Sequence, residues 1–246
     1  LRIWSSSSRF LSVSDPSIAI AGNGDTYVAF SRESEESDPE DVLVYRSVDG
    51  LRTWSLWSVF ADPAGLESLR NPKLAINARG TVSEELVVAY EAGDTAVEVA
   101  RVVLPTASPS WTSDRPIEVP GALGLEGADL AVGRDGTTVV GVAAVFDVNG
   151  TDFEWRYAVS LNAGLGFGND LVLDTRATTE LARAGIAVAL GSEPSTQKAH
   201  VLMSFDVGSG TTAVLTVRHT SAPDWGVLGN FSATTTLPAD TGGDFE

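Results

Sequence analysis

Short apolar segments recur along the chain at a constant interval. The four clearest segments each end in three apolar residues, an alanine flanked by two larger side chains. The starts of successive segments are 56 residues apart. These segments are residues 16–20, 72–76, 128–132 and 184–188. A fixed period of about this size is typical of a repeat protein, in which every repeat is one supersecondary unit.

Each repeat also contains further strand-like segments. Glycines at positions 24, 80 and 136 keep the same interval and lie between apolar runs, as hairpin turns do. Second strands that end in an aromatic residue are predicted at 27–30, 86–90, 142–146 and 201–205. Third strands are predicted at 42–47, 97–103, 154–160 and 213–219, and fourth strands at positions such as 56–60 and 170–173. Helical periodicity is absent, so the pattern favours strands.

Four short strands per repeat predict an all-β fold, a β-propeller of four-stranded antiparallel blades. We expect one domain over residues 1–246, with repeats at approximately 16–71, 72–127, 128–183 and 184–239. Residues 1–15 are predicted to form a closing or extra strand. The ring is therefore expected to be four-bladed with a spare strand, or five-bladed, or part of a longer propeller.

Composition narrows the classes of function. The chain has 33 acidic and 16 basic residues, a net charge of −17 and no cysteine. This balance argues against nucleic acid and anionic membranes as partners, because both require a positive surface. Disulfides and thiolate zinc sites are excluded, and only two histidines are present. No apolar run is long enough to predict a membrane span, so membrane insertion is not expected.

Two stretches share a Ser-x-Asp/Asn turn pattern that ends in an aromatic residue. Ser47, Asp49 and Trp54 form the first, and Ser160, Asn162, Gly164 and Phe167 the second. The pattern resembles the Asp box of sialidases and other BNR-repeat propellers. That resemblance implies structural hairpin turns rather than catalysis. The first stretch departs from the pattern, because Leu51 occupies the place of the glycine.

The resemblance also implies what a sialidase site would require: three arginines, a tyrosine nucleophile with a glutamate partner, and an acid/base aspartate. The Arg-Ile-Pro signature is absent. We therefore expect a non-catalytic, secreted or cell-surface module that binds carbohydrate or protein. The alternative is a glycoside hydrolase of sialidase type, with Tyr90, Glu91, Arg70 and Arg183 as candidate catalytic residues. A propeller used only for oligomerisation or packing is a third possibility.

The repeat register places a ring of polar residues at the edge opposite the Asp-box turns. Acidic residues follow three of the four second-strand aromatics, and equivalent positions at the start of the first strands are also polar in three repeats. The predicted ligand-binding residues are Glu91, Asp147, Asp206, Asn71 and Arg183. No cofactor is expected unless Glu91, Asp147, Asp206 and Asp15 hold Ca²⁺, which prefers six to eight oxygen ligands. The remaining interpretation is that these acidic residues are simply solvated.

Overall fold

The described residues form four sheets of four strands each. The structure, a computed structural model, describes residues 12–33, 39–77, 84–135, 137–150, 152–162, 164–168, 170–177, 181–191, 198–207, 214–226 and 230–236. Within this part of the chain, no helix is long and apolar enough to cross a membrane. One short 3-10 helix, Asp224–Gly226, follows the fifteenth strand.

Strands are numbered in chain order. The first sheet contains β1 (Ser12–Ile20), β2 (Thr26–Glu33), β3 (Asp41–Ser47) and β4 (Ser55–Phe60). The second contains β5 (Leu69–Asn77), β6 (Glu84–Ala92), β7 (Ala96–Leu104) and β8 (Thr112–Glu118). The third contains β9 (Gly124–Asp135), β10 (Thr137–Asp147), β11 (Asp152–Ser160) and β12 (Leu171–Ala177). The fourth contains β13 (Leu181–Leu190), β14 (Lys198–Val207), β15 (Val214–Pro223) and β16 (Thr235–Thr236).

Each sheet is an antiparallel meander, because its strands pair in the order in which they occur along the chain. The first strands of successive sheets pack beside one another: β1 on β5, β5 on β9, and β9 on β13. This arrangement is a β-propeller with four blades, and the predicted fold class is confirmed. The sequence predicted a separate strand over residues 1–15, whereas in the structure residues 12–15 are the beginning of β1. Residues 1–11 and turn glycines 80 and 136 lie outside the described residues.

Apolar side chains from both faces of the second strands form the core. In β10, Val142 and Phe146 pack toward the second sheet, whereas Ala143 and Val145 pack toward the fourth. A strand that is buried on both faces needs apolar residues at consecutive positions, because successive side chains alternate between faces. This explains why the second strands are continuous apolar runs. The core therefore lies between blades as well as within them.

The first strand of each sheet, which is the inner strand of its blade, has a β-bulge near its start. One extra residue interrupts the pairing between Ser14 and Ser17, between Arg70 and Lys73, between Leu125 and Gly127, and between Leu181 and Ala184. In the first two blades the bulge contains a left-handed residue, Asp15 (φ 54) or Asn71 (φ 52), followed by proline. Asp and Asn tolerate this conformation better than most residues, and proline fits where the ladder is interrupted.

Candidate functional site

The turn after β3 is held together by Ser47 and Asp49. Asp49 Oδ1 accepts hydrogen bonds from the backbone nitrogens of Arg52 (3.0 Å) and Thr53 (2.9 Å), and Oδ2 accepts one from Thr53 Oγ1 (2.6 Å). Ser47 Oγ accepts from the backbone nitrogen of Leu51 at 3.0 Å. These bonds, led by those from Thr53, lower the pKa of Asp49 to about 2. The carboxylate is therefore occupied by its own turn.

The turn after β11 repeats this geometry with different residues. Ser160 Oγ donates to Asn162 Oδ1 (2.6 Å) and accepts from the backbone nitrogen of Gly164 (2.9 Å). Gly164 has a φ of 78, and the equivalent Leu51 has a φ of 72. Phe167 packs against the cluster between the second and third sheets, and Trp54 packs on the first sheet. Leu51 thus adopts a left-handed conformation that normally favours glycine.

At the opposite edge, Glu91 lies at the centre of a buried network. Its Oε1 accepts from Asn71 Nδ2 at 2.7 Å, and its Oε2 accepts from Arg70 Nε at 3.1 Å. The bulge brings Asn71 into place, and Ser31 Oγ of the first blade accepts from the Asn71 backbone nitrogen at 2.9 Å. Burial raises the pKa of Glu91, while Asn71 and Arg70 oppose that effect. The Glu91 side chain is only 5% exposed, so residues of the protein rather than solvent satisfy its carboxylate.

The other predicted residues of this edge do not share one arrangement. Asp147 Oδ1 accepts from the backbone nitrogen of Gly150 at 2.7 Å and so stabilises its own hairpin. Asp15 is exposed, and its charge contributes to raising the pKa of Glu91. The side chains of Asp206 and Arg183 lie outside the described residues. Among side chains that are described, no group of three or more is arranged to hold a metal ion, and the Ca²⁺ site stays a prediction.

A cleft of about 440 Å³ opens between the first and second blades at this same edge. Its lining comes from the end of β4, the loop after it, the start of β5, and strands β6, β7 and β8. Tyr90 Oη donates to Glu98 Oε2 at 2.8 Å, and Arg115 donates to Glu98 Oε1 from Nη2 at 2.6 Å and from Nε at 3.1 Å. Both oxygens of Glu98 are thereby held in place at the cleft.

Aromatic rings form the apolar part of this region. The Phe60 ring lies 5.1 Å from that of Tyr90 and 4.9 Å from that of Trp111, measured between centroids. Burial, followed by the charge of Glu98, raises the pKa of Tyr90. Its hydroxyl is therefore a protonated donor to Glu98, and the nucleophilic role considered from the sequence stays a prediction. Tyr90 is only 4% exposed, so its ring forms part of the buried wall of the cleft.

The loop after β4 supplies two further carboxylates. Asp62 accepts from the backbone nitrogens of Ala64 (3.1 Å), Leu66 (2.7 Å) and Glu67 (3.0 Å), and these bonds lower its pKa. Glu67 Oε2 accepts from Arg115 Nη2 at 3.2 Å. Sequence reasoning missed this cleft. Its signal was a charged residue inside an apolar strand, Glu98 between two valines.

Comparisons with known proteins establish the fold. No family model matches the chain, and no curated protein matches it. The α-L-arabinanase of Penicillium chrysogenum, solved with arabinobiose, is 16% identical with a TM-score of 0.61, over 98% of this chain and 71% of that one. The GH93 α-L-arabinofuranosidase of Fusarium graminearum is 14% identical with a TM-score of 0.58, over 94% and 68% of the two chains.

The Hadza microbial sialidase Hz136 is also similar, with 12% identity and a TM-score of 0.50 over 84% of this chain and 44% of that one. Identities this low show fold alone. The protein is a β-propeller, similar in fold to carbohydrate-active enzymes that include a sialidase. The resemblance stated from the sequence holds at that level, and no family match assigns the chain to the Asp-box family.

Proposed function

We propose that this propeller is an extracellular, non-catalytic module that binds carbohydrate in the cleft between its first and second blades. The observation that carries the proposal is the lining of that cleft. Glu98 and Arg115 present fixed polar atoms beside the aromatic ring of Phe60. Its volume of about 440 Å³ lies within the usual range for small-molecule sites, about 300–1,000 Å³.

The chemistry of the lining suits a sugar. A saccharide carries hydroxyl groups that donate to carboxylate oxygens, and apolar C–H faces that pack on aromatic rings. Glu98 has side-chain exposure of 24% and Arg115 of 34%, so a ligand can reach both. Because Tyr90 and Arg115 already hold Glu98, little side-chain freedom is lost on binding, which favours affinity.

Catalysis of the sialidase type receives less support. That chemistry requires three guanidinium groups around one carboxylate, whereas Arg115 is the single arginine in the described lining of the cleft beside Tyr90. Arg70 is instead bound to Glu91 and Asp94. Two of the fold neighbours were solved with arabinobiose. Because their likeness to this chain extends to fold alone, they serve here only to suggest a test ligand.

The proposal is tested on an array of plant and animal glycans, with and without chelator, followed by titration of arabinobiose and the strongest array ligands. We expect binding to at least one saccharide, and a loss of about tenfold or more in Glu98→Gln, since hydrogen bonds to charged groups contribute about 1.5–3 kcal/mol. Glu154→Gln is the matched control, because Glu154 is similarly half-buried (21%) and bonded to an arginine, but in the third blade.

Two results would contradict the proposal. Absence of binding to every glycan removes the function, and equal affinities for Glu98→Gln and the unmodified chain remove the cleft as its site. Release of reducing sugar from arabinan, galactan or sialyllactose above a protein-free blank, abolished by Glu91→Gln, would instead support the hydrolase alternative. Loss of binding with chelator would support the predicted Ca²⁺ site.

A further inference from the structure

The cleft carries more negative than positive charge. Among its described lining residues, Asp62, Glu67 and Glu98 are acidic and Arg115 is basic. At neutral pH three carboxylates therefore face one guanidinium. Hydrogen bonds from the backbone of its loop hold the pKa of Asp62 below its usual range, so that this carboxylate stays ionised well below neutral pH.

The guanidinium is already paired with three carboxylates of the protein. Arg115 Nη2 lies 2.6 Å from Glu98 Oε1 and 3.2 Å from Glu67 Oε2, while Nη1 lies 3.7 Å from Glu118 Oε1. Its Nε also donates to Glu98 at 3.1 Å. An arginine recognises an incoming carboxylate through a free pair of N–H groups. Arg115 thus has Nε and Nη2 committed to hydrogen bonds with carboxylates of the protein, and Nη1 lies in an ion pair with Glu118.

We propose that the cleft selects uncharged sugars and rejects sugars that carry a carboxylate, such as sialic and uronic acids. This inference rests on the proposed function. An anionic sugar would meet three carboxylates and a guanidinium that is already neutralised, and like charges brought together at a binding surface oppose association. An uncharged sugar uses the same carboxylates as acceptors for its hydroxyl groups.

Arg115 is then a positioning residue. Its Nη2 donates to both Glu98 and Glu67, so that one guanidinium nitrogen holds the two carboxylates side by side at the cleft. Glu67 is the more exposed of the two, at 37% against 24% for Glu98. Its removal should therefore change the charge of the cleft with less effect on the Tyr90–Glu98 contact.

The test compares uncharged saccharides with related saccharides that carry a carboxylate. Galacto-oligosaccharides and galacturono-oligosaccharides of equal length are titrated by calorimetry at about 0.15 M and 1 M salt, and lactose is compared with sialyllactose. We expect each anionic partner to bind about 100-fold more weakly at the lower salt concentration, and the ratio to shrink at 1 M salt because exposed charges are screened.

Glu67→Gln should narrow that ratio by about tenfold, mainly by improving binding of the anionic member. Glu154→Gln removes the same amount of net charge in the third blade and should leave the ratio unchanged, which separates the cleft from the overall charge of −17. Equal affinities for the two members, or an unchanged ratio in Glu67→Gln, would overturn this inference alone. Absence of binding by both members overturns the proposed function and this inference with it.

Discussion

Tyr90 and Glu91 are neighbours in β6, yet their side chains end in two regions of different character. Glu91 enters a closed network, where Asn71 and Arg70 use both of its oxygens and its side chain is 5% exposed. Tyr90 packs beside the interblade cleft and contacts Glu98, whose side chain is 24% exposed. Both regions pair a glutamate with an arginine. The difference in burial indicates framework in the first and binding in the second.

The largest expected effect is on the buried network. Glu91→Ala should lower the free energy of unfolding by about 3 kcal/mol, because it leaves the Asn71 amide without its acceptor and removes the buried one of the two carboxylates that pair with Arg70. Urea denaturation measures the change.

Glu98→Gln should cost less than about 1 kcal/mol in the same assay, because Glu98 and Arg115 are both partly exposed and their pair is screened by water. A folded Glu91→Ala variant should retain saccharide affinity. Equal losses of stability in the two variants would contradict the assignment of framework and binding roles.

A smaller effect on stability is expected in the turn after β3, which lies at the opposite edge of the blades, away from both regions. Leu51→Gly should stabilise the protein by about 1 kcal/mol, because it relieves a left-handed leucine at a φ of 72. Thermal and urea unfolding measure the gain.

The reciprocal change is the control. Gly164→Ala should destabilise by about 1 kcal/mol at a φ of 78, where an added Cβ would make only an ordinary 3.7 Å contact with Val99. Neither variant should alter saccharide binding. A stability loss in Leu51→Gly would show that the leucine side chain contributes more than its backbone costs.

The smallest effect is the pH dependence contributed by Glu91. Because burial raises its pKa in the folded state, its contribution to stability is complete below the unfolded value of about 4.3 and is lost as pH rises through the folded value. The stability of the unmodified chain relative to Glu91→Gln should therefore decline between about pH 4 and neutrality. Unfolding free energies measured across that range check the sign, and an increase with pH would contradict it.

Sequence alone predicted the blades because an interval of 56 residues fixes which segments are equivalent. It also grouped Asn71 with Glu91, since the repeat places both at one edge. It did not predict that Asp147 would turn back to Gly150, because that depends on a local hairpin. The cleft was missed because Phe60, Glu98 and Arg115 occupy different strands of two blades, with no shared repeat position to connect them.

The bulge repeated in the inner strands has a consequence for how such a molecule can diversify. Each bulge adds one residue that does not pair in the ladder. The side chain of that residue is therefore not constrained by the alternation of faces along the rest of the strand. Asp15, Asn71, Gly127 and Arg183 lie in or beside these bulges despite their different sizes and charges. The same backbone irregularity thus accommodates a different residue in each blade, and in the second blade Asn71 uses it to hold Glu91.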